Sequence, residues 1–152
     1  MSSPIYNNIQ INRPIEQVFD FVTTPRNWPQ WHPASVSVSG NADHSLRPGE
    51  EVTETICVLG YRGGAKWLVR ERSAPHRWVI DGSGENRGVA TITYTLTRRS
   101  EGTVFDRELV YTMPNPLFPL FDSLILRRRM KTDSAEALRC LKRLLESDRE
   151  IN

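Results

Sequence analysis

Cysteine and histidine are scarce in this chain. Its 152 residues hold two cysteines, Cys57 and Cys140, and three scattered histidines, His32, His44 and His76. Two cysteines cannot build a disulfide framework, and they fit a reducing compartment as free thiols. No cysteine or histidine stands at metal-ligand spacing, so no metal is expected. The chain also lacks G-x-S-x-G and any nucleotide fingerprint, so no cofactor is expected. Ser83, in Gly82-Ser83-Gly84, has no identifiable base beside it. Charge of one sign is missing too. Lys+Arg number 20 and Asp+Glu 18, a net +2, whereas a nucleic-acid partner needs a concentrated basic face. Residues 1–11 contain no apolar run of signal-peptide length, and no stretch approaches the ~20 apolar residues that span a bilayer. A cytoplasmic location is therefore expected.

What is present suits one domain over residues 1–152. A chain of this length buries roughly 70% of its unfolded surface. Apolar residues make up 38% of the chain and are spread along it, which argues against disorder. No repeat, low-complexity tract or linker divides it.

Ile5 to Asn12 reads as a strand. Pro14 suits a first helical turn, and Ile15, Val18, Phe19 and Val22 recur at helical spacing, which predicts a short helix over 14–23. A second short helical segment, 26–31, is interrupted by Pro29 and ended by Pro33. Strands are predicted over 36–39, 49–59, 65–73, 77–82, 89–98 and 103–113, each bounded by turn residues. With no helices between them they should form an antiparallel meander. Alternation is cleanest in 89–98, where Ala90, Ile92, Tyr94 and Leu96 face one way and threonines the other. After Pro114-Asn115-Pro116, a long helix is predicted from Leu117 or Leu120 to Ser147. Its apolar face reads as Leu117, Leu120, Phe121, Leu124, Ala135, Leu138, Leu141 and Leu145. Only this helix is long enough to cover the sheet, so the fold class is α+β, with a curved antiparallel sheet of six to seven strands wrapped around the C-terminal helix.

The order of elements resembles the helix-grip fold of the START-like, or SRPBCC, superfamily. The most specific part is Ile11-Asn12-Arg13-Pro14-Ile15-Glu16-Gln17-Val18-Phe19, followed by Asn27-Trp28-Pro29-Gln30-Trp31-His32-Pro33. These segments resemble the bacterial polyketide cyclase/dehydrase-like branch. The resemblance implies a deep cavity between the curled sheet and the last helix, which different members use for different purposes. The loop Leu59-Gly60-Tyr61-Arg62-Gly63-Gly64 departs from the glycine loop of the allergen branch, so no role is carried over to it.

Strand parity places a charged residue on three otherwise apolar faces. Glu54 is in phase with Val52, Ile56 and Val58, Glu71 with Ala65, Trp67 and Val69, and Arg107 with Phe105, Leu109 and Tyr111. An isolated interior charge is costly, so each must be paired or wet. The alternative is that parity slips at a bulge, or that these residues sit at wet strand ends. Trp67, Trp78, Tyr94 and Tyr111 read as interior rings, either ordinary core or the wall of an aromatic pocket. By the resemblance, Trp31 and His32 border the cavity mouth; the other reading packs Trp31 on the sheet and leaves His32 exposed in a turn. On the last helix, Arg128 and Lys131 share a face with Leu124 and Ala135, which makes Arg128 either a cationic ligand anchor or a solvated charge.

Three functions follow as expectations. The first is binding of a small, mostly hydrophobic ligand (lipid, aromatic or polyketide-like), oriented by Arg107, Glu71 or Arg128. The second is a polyketide cyclase/dehydratase-type enzyme, with Glu71, Arg107 and His32 as acid/base candidates. The third is membrane or partner docking through Leu117 to Lys131, where an apolar face adjoins basic residues. A homodimer is left open.

Overall fold

The computed structural model describes residues 4–85, 88–112 and 120–147, with only the backbone for 120–123. Seven strands form one antiparallel sheet: β1 (Ile5–Ile11), β2 (Ser35–Ser39), β3 (Glu51–Val58), β4 (Tyr61–Ser73), β5 (Arg77–Gly84), β6 (Val89–Arg99) and β7 (Gly102–Thr112). Their order is β1-β7-β6-β5-β4-β3-β2. Strands β3 to β7 make the expected meander, and β1 joins its far edge beside β7. Helices α1 (Ile15–Val22) and α2 (Trp28–Trp31) lie between β1 and β2, and α3 (Leu120–Ser147) ends the fold. Ile15, Val18, Phe19 and Val22 of α1 are all buried, as the spacing required. Pro29 opens α2 rather than interrupting it, because proline costs nothing in a first turn.

β4 begins four residues earlier than its apolar run. Val58 pairs with Tyr61 across a two-residue turn, and Leu59 and Gly60 adopt φ of 54° and 82°. Two positive φ values give the primed turn that matches strand twist, so the glycine pair Gly63-Gly64 is drawn into the ladder.

The last helix is fastened at one end. Ala137, Leu138, Leu141 and Leu145 are buried against the sheet. Arg13 Nε donates to the Leu145 carbonyl at 2.7 Å, and Lys142 Nζ to the Gln10 carbonyl at 2.7 Å. These bonds tie the C-terminal half of α3 to β1 and the turn after it, while its N-terminal half lies over the open side of the sheet.

The expected face of α3 is corrected. Leu124 and Arg128 are exposed; the inward stripe instead runs Met130, Ser134, Ala137, Leu138, Leu141, Leu145. The leucines of the C-terminal half were in phase with the core, but extrapolating from them to Leu124 and Arg128 rotated the first half outward by about one residue. Leu117 to Pro119 of the suggested docking segment lie outside the described residues, as do the side chains of Leu120 and Phe121.

Candidate functional site

The curved sheet and the first half of α3 enclose a cavity of about 830 Å³. Inward positions of five consecutive strands make its wall. They are Glu54 and Ile56 of β3, Ala65 and Trp67 of β4, Ile80 and Gly82 of β5, Ala90, Ile92 and Tyr94 of β6, and Arg107, Leu109 and Tyr111 of β7. α2 contributes Trp28 and Trp31, followed by His32, and α3 adds Ile125, Leu126, Met130, Asp133 and Ser134. The cavity rim includes Leu59 and Tyr61 of the β3–β4 hairpin, Val89 at the start of β6, and Ile125; all four are exposed.

The lining is mainly apolar, with polar groups that include Ser35, Glu54, Arg62, Glu85, Arg107, Asp133 and Ser134. Arg107 is 4% exposed and donates through Nη1 to Ser134 Oγ at 3.1 Å. Its Nε has no partner. Trp31 is buried, with its ring 6.5 Å from Tyr94 and 6.4 Å from Phe105, and its Nε1 is also unpartnered. Trp67 donates from Nε1 to Glu54 Oε1 at 2.9 Å. Asp133 is buried too, and pairs with Arg129 at 3.2 Å one helical turn back.

The electrostatics follow from this enclosure. Burial pushes the Glu54 carboxyl above its usual range, and Ser35, the Trp67 indole N–H and the Arg107 charge only partly offset it. Burial, with Arg107 adding repulsion, drives His32 down to about 3, so its imidazole is neutral near pH 7. Its Nδ1 accepts the Ala34 N–H at 3.1 Å, which puts the ring proton on Nε2. Burial likewise pushes the Tyr94 phenol up to about 12, against the charge and hydrogen bond of Arg107.

A pH signature follows for Glu54. Its folded-state pKa is raised, so the native state holds the proton more tightly than the unfolded chain. Stability attributable to this group is present below about pH 4.3 and is lost as pH rises through the folded value. Glu54→Gln should therefore melt above the wild type at pH 8, with the gap closing by about pH 4. Thermal melts across that range check it.

Of the residues singled out from sequence, the cavity gathers Trp31, His32, Glu54, Trp67, Tyr94, Arg107 and Tyr111. Four are placed elsewhere. Glu71 is exposed and paired with Arg77 at 3.0 Å. A register shift between Val69 and Glu71 flips strand parity there. Past the bulge, Arg72 takes the inward phase, bonded to Ser45 Oγ and set over the Phe19 ring. Trp78 is core: it has no exposed surface, donates to the Leu46 carbonyl at 3.0 Å and stacks on Tyr94 without lining the cavity. Leu124 and Arg128 face outward on α3. His32 lines the cavity rather than standing exposed in a turn.

Asp133, Ser134 and Met130 were missed. Met130 and Ser134 stand at i−8 and i−4 from the buried Leu138, a stripe the helical period contains but the preference for apolar residues passed over.

The family match decides what kind of chain this is. Residues 5–146 match the family described as polyketide cyclase / dehydrase and lipid transport. The chain belongs to that family. It has the helix-grip fold. TTHA0849 from Thermus thermophilus superposes with a TM-score of 0.78 at 14% identity, covering 96% of this chain and 99% of that one. A START superfamily protein from Mycobacterium smegmatis gives 0.73 at 14% identity, covering 93% and 98%. At these identities the likeness concerns fold. A curated relative, "Penitrem biosynthesis cluster 1 protein I" of Penicillium ochrochloron, is 40% identical over 65 residues, 41% of this chain. That match spans 42% of the relative's own length. Membership of the polyketide cyclase/dehydrase and lipid transport family supports a ligand-binding or cyclase role. Among the described residues, no helix is long and apolar enough to cross a membrane.

Proposed function

We propose that this protein binds a small, mostly hydrophobic organic molecule in the cavity between sheet and α3. The observation that carries this reading is the 830 Å³ space, which lies within the range of drug-sized ligand sites. Its composition supports the same reading, since apolar walls supply burial and a few polar groups among them supply orientation. The relative named for penitrem biosynthesis supports a small organic ligand rather than a macromolecular partner.

Blocking the cavity is the test. Ala90 faces the cavity from β6. Ala90→Trp should fill part of that space and lower affinity for a neutral aromatic probe, 2-naphthalenemethanol, by tenfold or more. Isothermal titration of both proteins reads the effect. Equal binding by the two would place the probe elsewhere and reject the reading. Native mass spectrometry of the freshly purified protein, followed by solvent extraction, then identifies any molecule carried along.

The enzyme reading rests on a different group from the one expected. Glu71 is outside, and Glu54 takes its place: a buried carboxyl inclined to hold its proton, inside the cavity, near a neutral His32 and Arg107. Such a carboxyl can move a proton at carbon beside a carbonyl. Loss of turnover in Glu54→Gln on a poly-β-carbonyl substrate is the outcome this reading requires; unchanged turnover removes it.

A further inference from the structure

Arg107 is a buried cation that feels the Glu54 carboxyl at a distance but makes no direct ion pair among the described residues. It is 4% exposed, and among the described residues no carboxylate lies within 4.0 Å of its guanidinium. Its bond at Nη1 goes to a neutral hydroxyl, Ser134 Oγ at 3.1 Å, and the Tyr94 phenol it also reaches is neutral as well. The nearby buried carboxyl groups are otherwise engaged: Asp133 with Arg129 at 3.2 Å, Glu54 with the Trp67 indole at 2.9 Å. Asn7, opposite Arg107 in the β1–β7 register, also has an unpartnered Oδ1, but an amide oxygen brings no charge to balance the guanidinium.

Two buried donors at this end of the cavity are unmatched, Arg107 Nε and Trp31 Nε1. The two side chains belong to one neighbourhood. Tyr94 is the cross-strand partner of Arg107 on β6, and its ring lies 6.5 Å from that of Trp31. His32, its ring 6.1 Å from Trp31, turns its Nε2 proton away from the Nδ1 bond to Ala34. Buried donors left unmatched cost free energy, and a buried charge left unpaired costs more, until an acceptor arrives.

We infer that the ligand carries an ionised oxygen, a carboxylate or an enolate, which seats against Arg107 Nε and Trp31 Nε1 while its apolar body fills the rest of the cavity. This rests on the binding reading above and deepens it by naming the ligand's head group. A charge-assisted bond to a buried guanidinium is about twice as strong as a neutral one, so the anion should be strongly preferred over a neutral analogue.

The experiment compares three naphthyl probes by isothermal titration at pH 8. They are 2-naphthoate (a carboxylate), naphthoyltrifluoroacetone (a 1,3-diketone ionised as its enolate) and 2-naphthalenemethanol (neutral). At least one anion should bind tenfold or more tightly than the alcohol, and the tighter anion identifies the head-group source. In Arg107→Met the anions should fall to the alcohol's level. The readout is the ratio of anion to alcohol affinity within each variant, and measurable alcohol binding reports a folded cavity. Trp31→Phe keeps an aromatic ring and removes the N–H, and should lower the ratio of anion to alcohol affinity severalfold. Equal affinity for all three probes in the wild type, or anion preference that survives in Arg107→Met, overturns the inference and leaves the binding reading standing. Failure of all three probes to bind overturns both.

Discussion

Gly82→Val should reduce affinity for 2-naphthalenemethanol by tenfold or more and cost about 1–3 kcal/mol of stability, the range for overpacking a tight interior. Gly82 on β5 pairs with Trp67 on β4. A Cβ built on Gly82 would lie 2.4 Å from two carbons of the Trp67 ring. The indole therefore rests on bare backbone, and that close approach directs its N–H to Glu54 at 2.9 Å. Any side chain at 82 must push the ring into the cavity, occupying ligand space and leaving the Glu54 carboxyl without its donor. Gly63→Ala is the matched control: it also lines the cavity, but a Cβ there meets nothing within 4 Å. Near-wild-type binding by Gly63→Ala and impaired binding by Gly82→Val is the expected pair of results. Unimpaired binding in Gly82→Val would show that Trp67 does not shape the site.

Trp78→Ala should destabilise the fold by about 3–5 kcal/mol, read from urea denaturation. The ring has no exposed surface and stacks on Tyr94 at a centroid distance of 5.3 Å. It also meets Trp28 edge-on at 6.2 Å. Its N–H satisfies the Leu46 carbonyl, so truncation leaves both a void and an unpaired buried acceptor. Trp78→Phe retains most of the apolar packing and loses the bond, and should cost about 1–2 kcal/mol. Because Trp78 supports Tyr94 from the core rather than lining the cavity, the phenylalanine variant should still bind the neutral probe. A large loss of binding in that variant would move Trp78 back into the site.

The architecture was legible because the local signals agreed with one another. Pro14 followed by a four-residue apolar stripe, a run of turn-bounded alternating strands and one long terminal helix leave few arrangements that bury every apolar face. Glu54 and Arg107 were legible for the same reason: each sits at an interior parity within a regular ladder. Glu71 was misplaced by one extra residue at a bulge, and a bulge leaves no mark in alternation until the partner strand is known. The first half of α3 was misplaced because its inward residues, Met130, Asp133 and Ser134, face a partly polar cavity rather than a packed core. A helix that closes over such a space need not present leucines there, and hydrophobicity then points to the wrong face. Gly82 carried no sequence signal either, since its role depends on which ring lies across it.

A ligand site between sheet and α3 can be observed directly. The most direct measurement is a crystal structure of the protein with 2-naphthalenemethanol at saturating concentration. One naphthyl ring should lie inside the cavity, in contact with Trp67, Ile92, Leu109 and Met130. A ring bound only on the outer surface, with the cavity closed by collapsed side chains, would contradict this expectation.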